Sequence, residues 1–260
     1  MSELVKVVKR DGIGEIIMNS PPANAISNEL IDQLSDVLSG IKDDPGIRVV
    51  LVKSAVPRIF MAGADLKMLI RISREELASY MKRIQDVFSD LEALSQPTIA
   101  VIGGHALGGG CEIALCCDFR FMSAGEAKIG LPEVNLGIMP AGGGIQRLPL
   151  LVSRSKAKEM MISGKAISGE EAFQIGLVDK VFEPEDLVNM SVQFAGELAK
   201  KATRAIAEVK KCLQVRDRSP ITMGLNQALK GITYLVKDTE DAMEGMAAFN
   251  EKRKPRYKGK

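Results

Sequence analysis

The segment Thr98-Ile99-Ala100-Val101-Ile102-Gly103-Gly104-His105-Ala106-Leu107-Gly108-Gly109-Gly110-Cys111-Glu112-Ile113-Ala114-Leu115-Cys116 changes character halfway along. Its first five residues are apolar or β-branched, a run that suits a strand buried on both faces. Glycines follow, then an apolar stretch that suits a short helix, and residues 119–122 read as a strand again. Strand, glycines, helix and strand in succession are the unit of a layered α/β fold.

The alternation extends to both sides. Upstream, residues 4–10 and 14–19 read as two strands joined by the turn signal Asp11-Gly12. Leu30, Leu34, Val37, Leu38 and Ile41 then recur at helical spacing, with Ser27 placed as an N-cap. Asp44-Pro45-Gly46 stops that helix, and residues 47–53 read as a buried strand. Ser73 and Glu76 form a capping box that opens a long helix ending before Pro97. Downstream, Ser168 and Glu171 repeat the capping box, and residues 178–182 give a last strand. From Pro184 onward the sequence is helical, with a turn expected near Ser219-Pro220. The expected organisation is an α/β core with its active site over residues 1–195 and a helical region over residues 196–260 that packs on the core or on another subunit.

Composition narrows the chemistry. The chain has 260 residues, 35 Lys and Arg against 33 Asp and Glu, and a formal charge of +2. At 46% hydrophobic and 26% charged residues it has the make-up of a folded globular protein, which excludes bulk disorder. Its longest apolar runs, such as Val49-Val50-Leu51-Val52, fall far short of the roughly 18 residues of a membrane helix, and Met1-Ser2-Glu3-Leu4 lacks a signal-peptide layout. A cytoplasmic protein that does not enter membranes is expected. With His105 as the one histidine, a zinc site built from several histidines and an HExxH motif are excluded, and no metal is expected. No GxSxG accompanies His105, so a hydrolase triad is not indicated. Cys111, Cys116, Cys117 and Cys212 form no CxxC pair and read as buried thiols. Phosphate-loop and dinucleotide fingerprints are missing despite 24 glycines. What remains for catalysis is carboxylates, backbone amides or a less familiar group.

Three segments hold such groups. In the opening segment, the free amides of a helix start suit a developing negative oxygen, and Glu112 falls in the first helical turn beside them. The plainer reading is tight strand–helix packing, with Glu112 a helix cap. In Gly130-Leu131-Pro132-Glu133-Val134-Asn135-Leu136-Gly137, Glu133 is a lone carboxylate in apolar company, a setting that raises a pKa and suits proton transfer. The plainer reading there is an exposed loop charge. In Phe60-Met61-Ala62-Gly63-Ala64-Asp65-Leu66, small residues permit close backbone approach, and the Ala62 amide is a candidate second donor.

Taken together and in this order, the FMAGADL loop, ALGGGCEIAL, and PEVNLG with its following glycine run and Gln146-Arg147-Leu148 resemble the enoyl-CoA hydratase/isomerase (crotonase) family. Asn24-Ala25, Gly176-Leu177-Val178, the Glu244–Phe249 segment and Lys252-Arg253-Lys254 extend the resemblance nearly end to end. It implies a crotonase-like spiral of ββα units with a C-terminal helical trimerisation region, and a homotrimer or a hexamer made of two trimers. It implies that the amides of Ala62 and Gly109 hold the thioester oxygen of an acyl-CoA as an enolate. It further implies that Glu112 and Glu133 are the acid–base pair of a hydratase. Gly63, Ala64, Asp65 and Leu66 would complete the substrate loop, and Phe249 and Lys252 would stand near the nucleotide end of coenzyme A. Coenzyme A is then part of the substrate and no separate cofactor is implied.

Two departures stand out: Gly103-Gly104 replaces the usual Asn-Gly, and Ile145 replaces a threonine in the glycine run behind Glu133. The alternatives are an isomerase, a hydratase of an unusual ester such as a cyclic dienoyl-CoA, an inactive structural trimer, and the RNA-binding branch of the family. The last needs a lysine-rich first helix, whereas Glu29, Asp32, Asp36, Asp43 and Asp44 here face only Lys42, so no nucleic-acid partner is expected.

Overall fold

Asp11 and Gly12 both take positive φ, 50° and 80°. That left-handed pair is what a two-residue hairpin needs, and it folds β1 (Val5–Arg10) back antiparallel on β2 (Ile13–Met18). The structure, a computed structural model, describes residues 3–256, with backbone alone for 204, 211, 212, 214–224, 227 and 228. The Cys212 side chain, Lys258 and Lys260 lie outside the described residues.

After the hairpin comes α1 (Asn28–Lys42), capped by Ser27, whose side chain accepts the Leu30 amide. The chain then winds as a spiral in which successive turns feed two sheets. The turns supply β3 (Val49–Ser54) with β4 (Ile59–Met61), β5 (Thr98–Ile102) with β6 (His105–Leu107), and β7 (Phe119–Ser123) with β8 (Lys128–Gly130). β9 (Ile167–Ser168) and β10 (Lys180–Phe182) finish the two sheets. The large sheet has the order β1-β2-β3-β5-β7-β10 and is parallel from β2 onward; the small one has the order β4-β6-β8-β9. Between them run α2 (Leu66–Arg71), α3 (Arg74–Ala93), α4 (Gly109–Leu115), α5 (Gly144–Leu151), α6 (Arg154–Ser163) and α7 (Gly169–Gln174). Both expected capping boxes are formed, at Ser73–Glu76 and Ser168–Glu171.

β3 and β5, in the middle of the large sheet, are buried on both faces, which is why they read as nearly unbroken apolar runs. Val50, Val52, Ala100 and Ile102 point into the main core with α1 and α3. Val49, Leu51, Ile99, Val101 and Phe121 point the other way, against Leu187, Ala195 and Ala199 of α8 (Leu187–Ala199). The expected boundary between residues 195 and 196 therefore falls inside a helix that covers the sheet. The helical tail starts at α9 (Thr203–Asp238) and ends with α10 (Glu240–Asn250).

The turn expected at Ser219-Pro220 is not formed, because the backbone of α9 stays helical through it. Proline's fixed φ is compatible with a helix, at the loss of one donor. The tail is fastened to the core by polar side chains. Gln85 on α3 donates to the carbonyls of Ala141 (2.8 Å) and Leu225 (3.1 Å). Lys210 donates to the Gln96 carbonyl (2.8 Å) and to Asp118 (2.5 Å). No helix among the described residues is long and apolar enough to cross a membrane.

Candidate active site

The loop after β4 is held by the segment before α1. Asn24, buried, donates to the Phe60 carbonyl (3.0 Å) and to Ser54 Oγ (2.7 Å). The Ile26 amide donates to the Gly63 carbonyl (2.9 Å), and the Tyr80 hydroxyl donates to the Ile26 carbonyl. The Ala62 amide donates to the Ala23 carbonyl at 3.0 Å. This corrects the expectation for Ala62: its N–H is already committed to the chain, so it has no free donor to offer a ligand. Two residues on, the Ala64 amide donates to no acceptor among the described residues. Asp65 caps α2, accepting the amides of Lys67 (3.0 Å) and Met68 (3.2 Å), and Leu66 is the first residue of that helix.

The glycines of the opening segment meet this loop. Gly108 turns the chain from β6 into α4 with φ of 56° and ψ of −122°, a conformation that glycine alone adopts freely. A Cβ on Gly109 would stand 2.4 Å from Ile26 Cδ1, and one on Gly110 would stand 2.0 Å from the Met61 carbonyl oxygen. The Gly109 amide, first in α4, lies beyond the reach of intrahelical acceptors and makes no other bond among the described residues. It faces the loop, since a Cβ on Gly63 would be 3.2 Å from its nitrogen. Sequence reasoning had the glycines lead directly into the helix and missed the three-residue strand β6.

Glu112, only 4% exposed, turns away from its own helix start. Its Oε1 accepts the amides of Gly142 (2.8 Å) and Gly144 (2.9 Å). The glycine run expected behind Glu133 thus stands behind Glu112. Arg147 braces that run, with Nη1 donating to the Gly142 carbonyl (3.2 Å) and Nε and Nη2 to the Glu92 carboxylate (3.1 and 3.0 Å).

Glu133 opens a 3-10 turn, Glu133–Leu136. Its Oε2 is buried without a hydrogen-bond partner among the described residues, and its Oε1 lies 3.2 Å from where a Gly108 Cβ would be. Burial pushes the Glu112 carboxyl up, opposed by the Gly144 and Gly142 amides and by the Arg147 charge. Burial pushes Glu133 well above the usual carboxylate range, and the Glu112 charge adds to it.

Both carboxylates open onto one cavity of about 550 Å³, with Ala62 to Leu66, Gly108 and Gly109 on its wall. Leu69, Met81, Ile84, Ile138, Ile232 and Phe249 supply much of the apolar lining. Of residues 66–81, which follow the substrate loop, Leu66, Lys67, Leu69 and Met81 line the cavity, while Met68, Ile70 and Ile72 pack against the core. Lys252 is not on the wall; it is exposed just beyond the end of α10, with φ of 55°. His105 sits in β6, where Nδ1 accepts the Lys128 amide at 3.2 Å. Cys111, Cys116 and Cys117 are buried free thiols, pushed up by burial. Asn24, Tyr80, Gln85 and Arg147 hold the site together, and of these Asn24 and Arg147 fell within motifs noted from sequence.

Such a cavity suits acid–base chemistry carried by carboxylates, with the charge of an intermediate left to backbone amides. The sequence profile of the enoyl-CoA hydratase/isomerase family matches residues 8–260. The crotonyl-CoA hydratase of Syntrophomonas wolfei is 36% identical over 98% of both chains. The mitochondrial methylglutaconyl-CoA hydratase of Mus musculus is 38% identical over 91% of this chain and 76% of its own. A solved enoyl-CoA hydratase from Bacillus anthracis superposes with a TM-score of 0.79 at 34% identity, covering 99% of this chain and 100% of that one. The chain belongs to the enoyl-CoA hydratase/isomerase family; it is an enzyme with the crotonase fold.

Proposed function

We propose that the protein adds water across the 2,3 double bond of an enoyl-CoA thioester. The observation that carries this reading is that Glu112 and Glu133 open onto one cavity beside the unengaged Gly109 amide. Hydration needs one group to take a proton from water and another to protonate the α-carbon. The amides and the Arg147 charge favour an ionised Glu112, which takes the proton of the attacking water. Glu133, with Oε2 unpartnered among the described residues and facing a second carboxylate, keeps its proton longer and delivers it to the α-carbon.

As the water oxygen bonds to the β-carbon, the electron pair of the double bond moves to the thioester oxygen. The Gly109 and Ala64 amides receive that oxygen as an enolate, and each such donor is typically worth roughly 3 kcal/mol. When the carbonyl re-forms, the α-carbon takes the Glu133 proton, so H and OH have been added to the ester. Glu112 then holds the water's proton and Glu133 is ionised, and transfer of that proton from Glu112 to Glu133 by way of solvent resets the pair. Coenzyme A enters only as part of the ester. A homotrimer or hexamer accompanies this reading, with exposed Leu150, Ile162 and Phe173 as apolar side chains available to a neighbour; sedimentation gives the mass.

The test follows the loss of enoyl-thioester absorbance with crotonyl-CoA. Hydration to the 3-hydroxy ester is expected, and a double bond moved without uptake of water would overturn the reading. Gly109→Pro, which removes the proposed donor, should abolish turnover in a folded protein.

A further inference from the structure

On the reading that the cavity holds an enoyl thioester, its apolar wall bears on which acyl group it takes. Met81 and Ile84 stand three residues apart on one face of α3, and Ile138, Met139 and Ile232 come from the loop before α5 and from α9. Met81, Ile84, Ile138 and Ile232 are each no more than 6% exposed. The wall is fastened: the Gln85 side chain ties α3 to the carbonyls of Ala141 and Leu225. On α9, a Cβ on Gly231 would stand 2.7 Å from Met139 Sδ. These contacts bring α3, the loop before α5 and α9 together on this side of the cavity.

Charge decides the rest. Among the described lining residues the sole cation is Lys67, which is exposed at the start of α2, while the acids are Asp65, Glu112 and Glu133. A carboxylate at the far end of an acyl group would lose its hydration among methionine and isoleucine side chains, with no cationic partner there among the described lining residues and two carboxyls in the same cavity. We infer that the site selects neutral aliphatic acyl groups and rejects those that end in a carboxylate. Two relatives are named for a methylglutaconyl ester, so identity at this level does not settle the point, and the inference rests on the lining.

The test is the binding of pentanoyl-CoA and glutaryl-CoA, matched saturated esters that differ in a terminal methyl against a carboxylate, measured by calorimetry at neutral pH. Pentanoyl-CoA is expected to bind at least tenfold more tightly, and a smaller ratio overturns the inference. Met81→Lys, which places a cation on the wall, should narrow the ratio by tightening glutaryl-CoA; an unchanged glutaryl-CoA affinity in the folded variant also counts against it. Neither ester can be hydrated, so the ratio is read independently of turnover. Crotonyl-CoA hydration with a ratio near unity removes this inference alone. A large ratio without crotonyl-CoA hydration removes the proposed reaction and leaves the selectivity standing. Binding of neither ester removes both.

Discussion

Glu112 sits on a helix with one oxygen held by two backbone amides and a braced arginine behind them, whereas Glu133 sits in a short 3-10 turn with an oxygen that is buried and unpartnered. Burial lifts both carboxyls; at Glu112 two glycine amides and a cation push back, whereas at Glu133 only its own backbone amide does. The two niches show how one cavity keeps two like groups apart in proton affinity. One is furnished with positive dipoles, and the other is left bare beside the first.

The sharpest way to break the comparison is to neutralise each side in turn. Glu112→Gln and Glu133→Gln should each lower kcat by about 10²-fold or more, the scale of a positioned acid or base. KM should change little. Near-normal turnover in either variant would remove that carboxyl from the pair. A second intervention unsettles one niche only. Arg147→Ala leaves the Gly142 carbonyl and Glu92 without their guanidinium, so a stability loss of about 3 kcal/mol is expected in denaturant unfolding. Turnover should fall with it, and Arg147→Lys should recover part of both, since it restores the charge without the planar fork. An unchanged unfolding midpoint for Arg147→Ala would show that the glycine run holds itself.

The bare niche predicts a pH effect on stability. A carboxyl whose folded pKa lies above its unfolded value of about 4.3 binds its proton more tightly when folded. Its contribution is complete below the unfolded pKa and is lost as pH rises toward the folded one. Glu133→Gln should therefore melt at a higher temperature than the parent near pH 8, and the gap should close near pH 4. A gap that is equal at both pH values would mean that Glu133 is not held protonated. The smallest effect is the coupling itself. Removing the Glu112 charge with Glu112→Gln should lower the Glu133 titration, seen by carbon NMR of its carboxyl, while burial keeps it above the ordinary range. A titration that does not move would mean the two groups do not sense each other.

Local signals account for what the sequence revealed. The Asp11-Gly12 hairpin, the Ser27 cap and the two capping boxes are each written within a few consecutive residues, and all are present. The small sheet escaped because its strands span only two or three residues and lie among glycines that read as loop. The same reasoning placed Glu112 and Glu133 in the right company but misjudged what stands behind them. The glycine run next to Glu133 in sequence turns its amides on Glu112, thirty residues upstream in the case of Gly142. The commitment of the Ala62 amide to Ala23 is likewise a contact between distant segments, invisible in either one. The expected break at Ser219-Pro220 failed because proline biases a helix without forbidding it.

Ile232 and Phe249 lie on the same cavity wall as Ala23. During synthesis at about 5–20 residues per second, both glutamates exist for on the order of ten seconds before Phe249 is joined to the nascent chain. In that interval the polypeptide on the ribosome carries all of its reactive groups and lacks part of the enclosure that gives them their proton affinities. The enclosure is therefore complete only after residue 249 has been added, and a nascent chain stopped before it lacks the Phe249 part of the wall.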